Sequence, residues 1–236
     1  MSTTIYYPAT TRFQTDRGWV KGKHSFSFGP YFDESRKAFG PLIILNEDLV
    51  IAGAGFAAHP HSNMEIISIP LSGSIKHKDD TGKEAIIHTG EIQIMSAGTG
   101  IHHSESNPSQ QGELRFLQIW IKPKILDVAP RYQQIALKNE PDQLTQVVSP
   151  DPDGDGLWIH QDAWLHMGSF ANATKTNYSL KKKGNGMYIL LLNGEVKVQE
   201  QLLQLGDAIS LTETDEVILS ILEPSQILII EVPEEV

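Results

Sequence analysis

The strongest limit on how this chain can fold is its rhythm. Short apolar or alternating runs recur between turn residues: Pro41–Leu45, Glu65–Leu71, Gly90–Met95, Leu114–Ile121, Met187–Leu192, Glu195–Val198, Ala208–Leu211, Glu216–Leu222 and Gln226–Val232. No stretch carries a sustained apolar stripe with a 3.6-residue period, so the expected architecture is all-β. Asn193-Gly194 is a two-residue hairpin signal, because both positions tolerate positive φ. The only helical expectation is a short one around Pro130–Leu137. With 236 residues, 40% of them hydrophobic, the chain can build two compact cores. The stretch 131–156 is rich in Pro, Asp, Asn and Gln, with Pro141, Pro150 and Pro152, and reads as a connection. The expected division is therefore a first domain over 1–130, a linker over 131–156 and a second domain over 157–236.

A weak internal repeat relates the two halves. Leu71-Ser72-Gly73-Ser74-Ile75-Lys76, followed by Gly90-Glu91-Ile92, matches Leu192-Asn193-Gly194-Glu195-Val196-Lys197, followed by Gly206-Asp207-Ala208-Ile209. Carrying the offsets across puts Leu180, Lys182 and Gly186 where the first half has His59, His61 and Glu65. It puts Leu219 and Ile221 where the first half has His103 and Glu105. None of these replaces an imidazole, so any chemistry belongs to the first half.

That chemistry is concentrated in two pairs, His59-Pro60-His61 and His103-Ser104-Glu105. Residues two apart on a strand point the same way, so each pair aims both groups into one cavity. Three imidazoles and a carboxylate suit one divalent transition metal, with positions left open for water or substrate. The chain has no cysteine, which excludes thiolate sites, iron–sulfur clusters and disulfides and leaves nitrogen and oxygen as donors. Alternation allows only one of His102 and His103 to face inward, and the spacing to Glu105 selects His103. Glu65 stands an even number of residues from both His59 and His61. On an unbroken strand it shares their face, where it is expected to orient a ligand or move a proton. His24, His77, His88, His160 and His166 read as structural or solvated. Asp151–Gly156 reads as an acidic turn, since position twelve of a calcium loop would be Asp162 instead of a glutamate.

The stretch Gly53–Glu65 has the spacing G-x5-H-x-H-x3-E of the first cupin motif. The combination of F-x-x-H-P-H (56–61), M-S-A-G-T-G-I (95–101) and H-S-E (103–105) resembles the pirin family of bicupins. Gly22–Phe28, His77–Gly82, Gln118–Ile121 and Ile159–Asp162 add to the resemblance, which is nearest to bacterial pirin-like quercetin 2,3-dioxygenases. It implies two tandem cupin β-barrels, with a metal in the N-terminal one only, held by His59, His61, His103 and Glu105. Iron is the first choice, with Zn, Mn, Ni, Cu or Co as substitutes. It also implies a dioxygenase acting with O2 on a flavonol-like aromatic or related enol, with Glu105 or Glu65 taking the substrate proton. The alternative is a non-enzymatic, iron-dependent redox sensor that binds a protein partner. A net charge of −10 argues against direct nucleic-acid binding. The absence of a signal-like N-terminus and of a membrane-length apolar run points to a cytoplasmic protein, and the two barrels that the resemblance implies within one chain point to a monomer.

Overall fold

The structure is a computed structural model that describes residues 3–138 and 140–234. It is all-β, apart from two short 3-10 turns, Ala9–Thr11 and Glu34–Arg36, among the described residues. The strands of the first half are β1 (Thr3–Tyr7), β2 (Phe13–Asp16), β3 (Val20–His24), β4 (Leu42–Val50), β5 (Gly55–His61), β6 (Glu65–Ser72), β7 (Ser74–Asp79), β8 (Glu84–His88), β9 (Glu91–Ser96), β10 (Ile101–Ser106), β11 (Leu114–Ile121) and β12 (Arg131–Ala136). Those that follow are β13 (Gln143–Ser149), β14 (Leu157–Trp158), β15 (Trp164–Phe170), β16 (Thr174–Ser179), β17 (Asn185–Asn193), β18 (Val196–Val198), β19 (Gln201–Leu203), β20 (Ala208–Thr212), β21 (Glu216–Ile221) and β22 (Ser225–Pro233).

The chain forms two compact units. One is Phe13–Leu137 with Leu157–Gln161; the other is Met1–Arg12, Lys138–Gly156 and Asp162–Val236. In the first, a sheet ordered β12-β9-β6-β11-β4-β3-β2 accompanies a smaller one ordered β5-β10-β7-β8. In the second, β1, β20, β17, β22, β15 and β13 follow one another in one sheet, and β16-β21-β18-β19 form the other. The repeat is built into both. Gly73 closes the β6–β7 hairpin at φ +81°, and Gly194 precedes β18 at φ +88°. A Cβ on Gly73 would lie 2.9 Å from the Glu113 carbonyl oxygen, and one on Gly194 would lie 2.4 Å from that of Pro224. Glycine is required at both by backbone conformation and by close approach.

The segment 131–156 is not a bare connection. Arg131–Ala136 pairs with β9, and Gln143–Ser149 pairs with β15. The helix expected around Pro130–Leu137 is this edge strand β12, whose residues are mostly half-buried. An edge strand with neither face fully covered lacks the apolar alternation that reveals a strand in sequence. In the two compact units, 3–12 groups with the second and 157–161 with the first.

The cores differ in kind. In the second unit, Phe170, Met187, Ile189, Leu191, Val196, Val198, Leu219 and Ile221 belong to one buried cluster. Each fully buried aliphatic side chain contributes on the order of 1.5–3 kcal/mol. The first unit holds smaller apolar clusters, one around Ile75, Ile87, Leu114 and Phe116 and one around Ile66, Met95 and Ile101. Its interior also mixes buried polar residues, Ser68, His77, Gln93, His103 and Glu105, with further buried aliphatics such as Leu45, Ile67, Ile94 and Ile119.

Candidate metal centre

β5 lies at the edge of its sheet, so Pro60 can sit between the two histidines without breaking an inner ladder. His59 pairs with His103 across β5 and β10, and Ile101 pairs with His61. Alternation along both strands therefore gathers His59, His61 and His103 on one face. Their ring centroids are 4.7 Å (His59–His61), 4.6 Å (His59–His103) and 4.9 Å (His61–His103) apart. One ligand nitrogen from each lies within 4.8 Å of the others. Past His103 the register shifts, and Glu105 stands opposite Phe56 on β5 and opposite His77 on β7. A Cβ on Gly55 would fall 2.4 Å from the Ser106 Cα, so the close approach of β5 to β10 here needs glycine.

The His59 Nδ1 lies 2.7 Å from the Ala57 carbonyl oxygen and donates to it, which leaves Nε2 as the lone-pair nitrogen. The His61 Nε2 and both ring nitrogens of His103 are buried without a hydrogen-bond partner. Burial, reinforced by the neighbouring imidazoles His103 and His59, lowers the His61 pKa to about 4 against the opposing pull of Glu105. Burial, then His59 and His77, lowers that of His103 to about 3. Both rings are thus neutral at pH 7 and carry free lone pairs. Leaving such groups unpaired costs on the order of 1–3 kcal/mol each, a cost that a bound cation removes. The donor set fits a nitrogen- and oxygen-seeking transition metal.

Glu105 is buried, and three side chains hold its carboxylate. Ser68 Oγ at 2.8 Å and Gln93 Nε2 at 3.2 Å donate to Oε1, and Gln118 Nε2 at 2.6 Å donates to Oε2. The metal-capable group that contains it is His77, His103 and Glu105. So His103 belongs to two overlapping trios, and Glu105 shares the second of them with His77. The site opens on a cavity of about 220 Å³, walled by Phe28, Ile44, Phe56 and Trp120 and lined also by His59, Glu105 and Gln118. A more open depression of about 460 Å³ lies beside His61 and Ile101.

Glu65 is not brought to this cluster. Its carboxylate accepts from Ser96 Oγ at 2.8 Å and from His160 Nδ1 at 3.2 Å. The parity that placed it with the histidines assumes an unbroken strand. β5 ends at His61, Asn63 takes φ +48°, and β6 starts anew at Glu65. β6 residue Ser68 and Glu65, an odd number apart, face opposite sides, and Ser68 is the one that reaches Glu105. His102 is exposed and pairs with Asp80 at 3.2 Å. His24 is buried and stacks on Phe28, with centroids 4.7 Å apart.

Sequence reasoning missed His77. It is wholly buried, its Nε2 donates to Asp79 Oδ2 at 2.8 Å, and its ring lies 5.4 Å from that of His103. The available signal was the spacing: His77-Lys78-Asp79 has the same one-residue gap as the two pairs that were recognised. Ser68, Gln93 and Gln118, which hold Glu105, gave no such signal. Each is a single polar residue in an apolar run.

Two β-barrels in one chain, with imidazoles gathered in the first, define a bicupin. A family model described as Pirin matches residues 8–121, and one described as the quercetinase C-terminal cupin domain matches 146–232. A relative from Pasteurella multocida, named putative quercetin 2,3-dioxygenase, is 36% identical over 214 residues, which cover 89% of this chain and 91% of that one. The quercetin 2,3-dioxygenase of Escherichia coli K12 is 33% identical over 226 residues, covering 95% and 96%. The crystal structure of YhhW from Escherichia coli matches with a TM-score of 0.95 at 31% identity over 99% of both chains. A second, described as bacterial pirin YhhW in complex with nickel(II), matches with a TM-score of 0.93 at 31% identity over 99% and 100%. The chain belongs to the pirin family.

Proposed function

We propose that this pirin is a metal-dependent dioxygenase that acts with O2 on quercetin-like flavonols or related enols. The observation that carries the reading is the trio of clustered imidazoles, His103 buried and His59 and His61 half-buried, beside an aromatic-walled cavity, in a chain whose relatives bear the name quercetin 2,3-dioxygenase. His59, His61, His103 and Glu105 are the proposed ligands. Iron(II) is the first choice, and the nickel(II) complex of YhhW supports a site that accepts several first-row ions. When bound, the metal supplies Lewis acidity and a path for electrons between substrate and O2.

The residues of this chain do the rest. Phe28, Phe56 and Trp120 offer faces and edges to a planar ring and exclude water. Glu105 presents a carboxylate at the cavity, placed to accept the proton of a substrate hydroxyl. Gln118, also on the cavity wall, keeps Glu105 aimed by donating to Oε2. Glu65 takes no part, because Ser96 and His160 hold it elsewhere.

We further propose a cytoplasmic monomer that uses a small-molecule substrate and binds no nucleic acid directly. Among the described residues, no helix is long and apolar enough to cross a membrane. The test is O2 consumption with release of carbon monoxide, using quercetin and protein reconstituted with Fe(II), Cu(II), Mn(II) or Ni(II). Turnover that depends on the metal and disappears in His61→Ala supports the proposal. Full turnover in His61→Ala refutes the site. No turnover of any flavonol or catechol, together with a partner whose affinity differs between Fe(II) and Fe(III), selects the regulatory alternative.

A further inference from the structure

We propose that His77 is a positioning residue of the metal centre. Fixed by Asp79, it accepts through Nδ1 the hydrogen bond from the ring N–H that His103 does not use toward the metal. The inference rests on the metal-site reading above.

A histidine that ligates a metal normally donates its other ring N–H to a fixed acceptor, which sets tautomer and orientation. His59 already has such an acceptor, the Ala57 carbonyl oxygen. His103 has none: both its nitrogens are buried and unpartnered. Beside it sits an acceptor without a donor, since the His77 Nδ1 is likewise buried and unpartnered. The tautomer of a neutral His77 is set by its other nitrogen: Nε2 faces Asp79 Oδ2 at 2.8 Å, which places the proton on Nε2 and the lone pair on Nδ1.

Asp79 is itself held by three further donors. Its Oδ1 accepts from the Thr81 N–H at 3.0 Å, the Thr81 hydroxyl at 2.6 Å and the Lys83 N–H at 3.1 Å. The ring of Tyr132 packs on His77 at 4.8 Å, and that of His103 lies 5.4 Å away. A ligand nitrogen of His77 and one of His103 lie within 4.8 Å of each other. A hydrogen bond from a His103 ring N–H to the His77 Nδ1 would satisfy two buried orphans at once. The ladder supports the same chain of contacts: β10 sets His103 opposite Asp79 and Glu105 opposite His77.

The test uses the full chain loaded with Zn(II), a diamagnetic probe, and long-range proton–nitrogen correlation of the histidine rings. In the wild type, His59, His61 and His103 are expected each to show one metal-bound nitrogen. His77 is expected to show a protonated Nε2 and an acceptor Nδ1. Asp79→Asn retains an oxygen for the Thr81 and Lys83 donors but turns an amide N–H toward His77. Its expected effect is a flipped His77 tautomer and Zn(II) affinity lowered roughly 10–100-fold, the range for outer-shell partners. His77→Phe keeps a ring and removes the acceptor. It is expected to lose affinity to the same degree, while amide spectra report an intact fold. Unchanged affinity and unchanged His103 signals in both variants overturn the proposal. So does a metal-bound shift at the His77 Nδ1, which makes it a ligand. Absence of metal-bound shifts at His59, His61 and His103 in the wild type refutes the metal site itself, a result distinct from either.

Discussion

The two barrels repeat one strand plan and fill it with opposite chemistry. In the first, β10 and β7 set Glu105 opposite His77 and His103 opposite Asp79. In the second, the corresponding ladder of β21 and β18 sets Ile221 opposite Val196 and Leu219 opposite Val198, all buried in an apolar core. On the other side, β10 and β5 join His103 to His59 and Ile101 to His61. β21 and β16 join Leu219 to Thr176 and Val217 to Tyr178. The sequence offset had pointed to Leu180 and Lys182. The strand pairing replaces these with Thr176 and Tyr178, because the connection into β17 (180–184) is longer than that into β6 (62–64). The conclusion survives the correction, since neither pair offers an imidazole. The ladder fixes which side chains meet, and the side chains alone decide whether the meeting place is a core or a site.

The hairpin lengths carry the same lesson. β7 spans six residues and β18 three. The longer hairpin of the first barrel carries Asp79 and the turn that clamps it. Without that extension, His77 would have no fixed carboxylate to hold its tautomer.

The sharpest way to break the comparison is to strip the first barrel. His103→Ala is expected to reduce metal affinity by more than the roughly 10–100-fold typical of an outer-shell loss, with turnover abolished. Elemental analysis after gel filtration reads it. A variant that keeps full stoichiometry would place the metal elsewhere. The matched change in the second barrel is Leu219→Ala. It is expected to cost about 2–5 kcal/mol in urea unfolding and to leave metal affinity unchanged. A loss of metal there would show that the barrels are not chemically independent.

Gln118→Leu should act in between. It removes the donor to Glu105 Oε2, with an expected cost of about 1–3 kcal/mol and weakened metal binding. Unaltered stability and affinity would show that the Gln118 contact contributes nothing.

The smallest effect concerns pH. In metal-free protein, His61 and His103 in the first barrel have pKa values of about 4 and about 3, below the usual 6.5. His166 in the second barrel is lowered by burial, aided by the Lys181 charge, to about 4. A depressed histidine pKa means that the unfolded chain takes up protons first. The stability linked to these groups is therefore complete above about pH 6.5 and is lost as pH falls through the folded values. Urea midpoints of the metal-free protein should decline from pH 6.5 to pH 4. His166→Gln should remove the share of the second barrel and His61→Gln part of that of the first. If neither variant flattens the slope, the decline comes from other groups.

What the residues alone determined is the local part. Turn glycines, short alternating runs and a residue gap of one follow from strand geometry that reaches only two or three positions along the chain. Hence the all-β fold, the repeat and the paired His59–His61 and His103–Glu105 were legible. Tertiary structure decided what depends on register and on breaks between strands. Asn63 turns the chain so that Glu65 faces away from the histidines, despite its even spacing. Cross-strand pairing brings His77 and Asp79 under Glu105 and His103, although more than twenty residues separate the two pairs. The three groups that hold Glu105 come from β6, β9 and β11, strands that meet only in the folded sheet. A side chain's face is set by its neighbours in sequence, but its partners are set by which strands lie beside and across from it, and no local pattern encodes that.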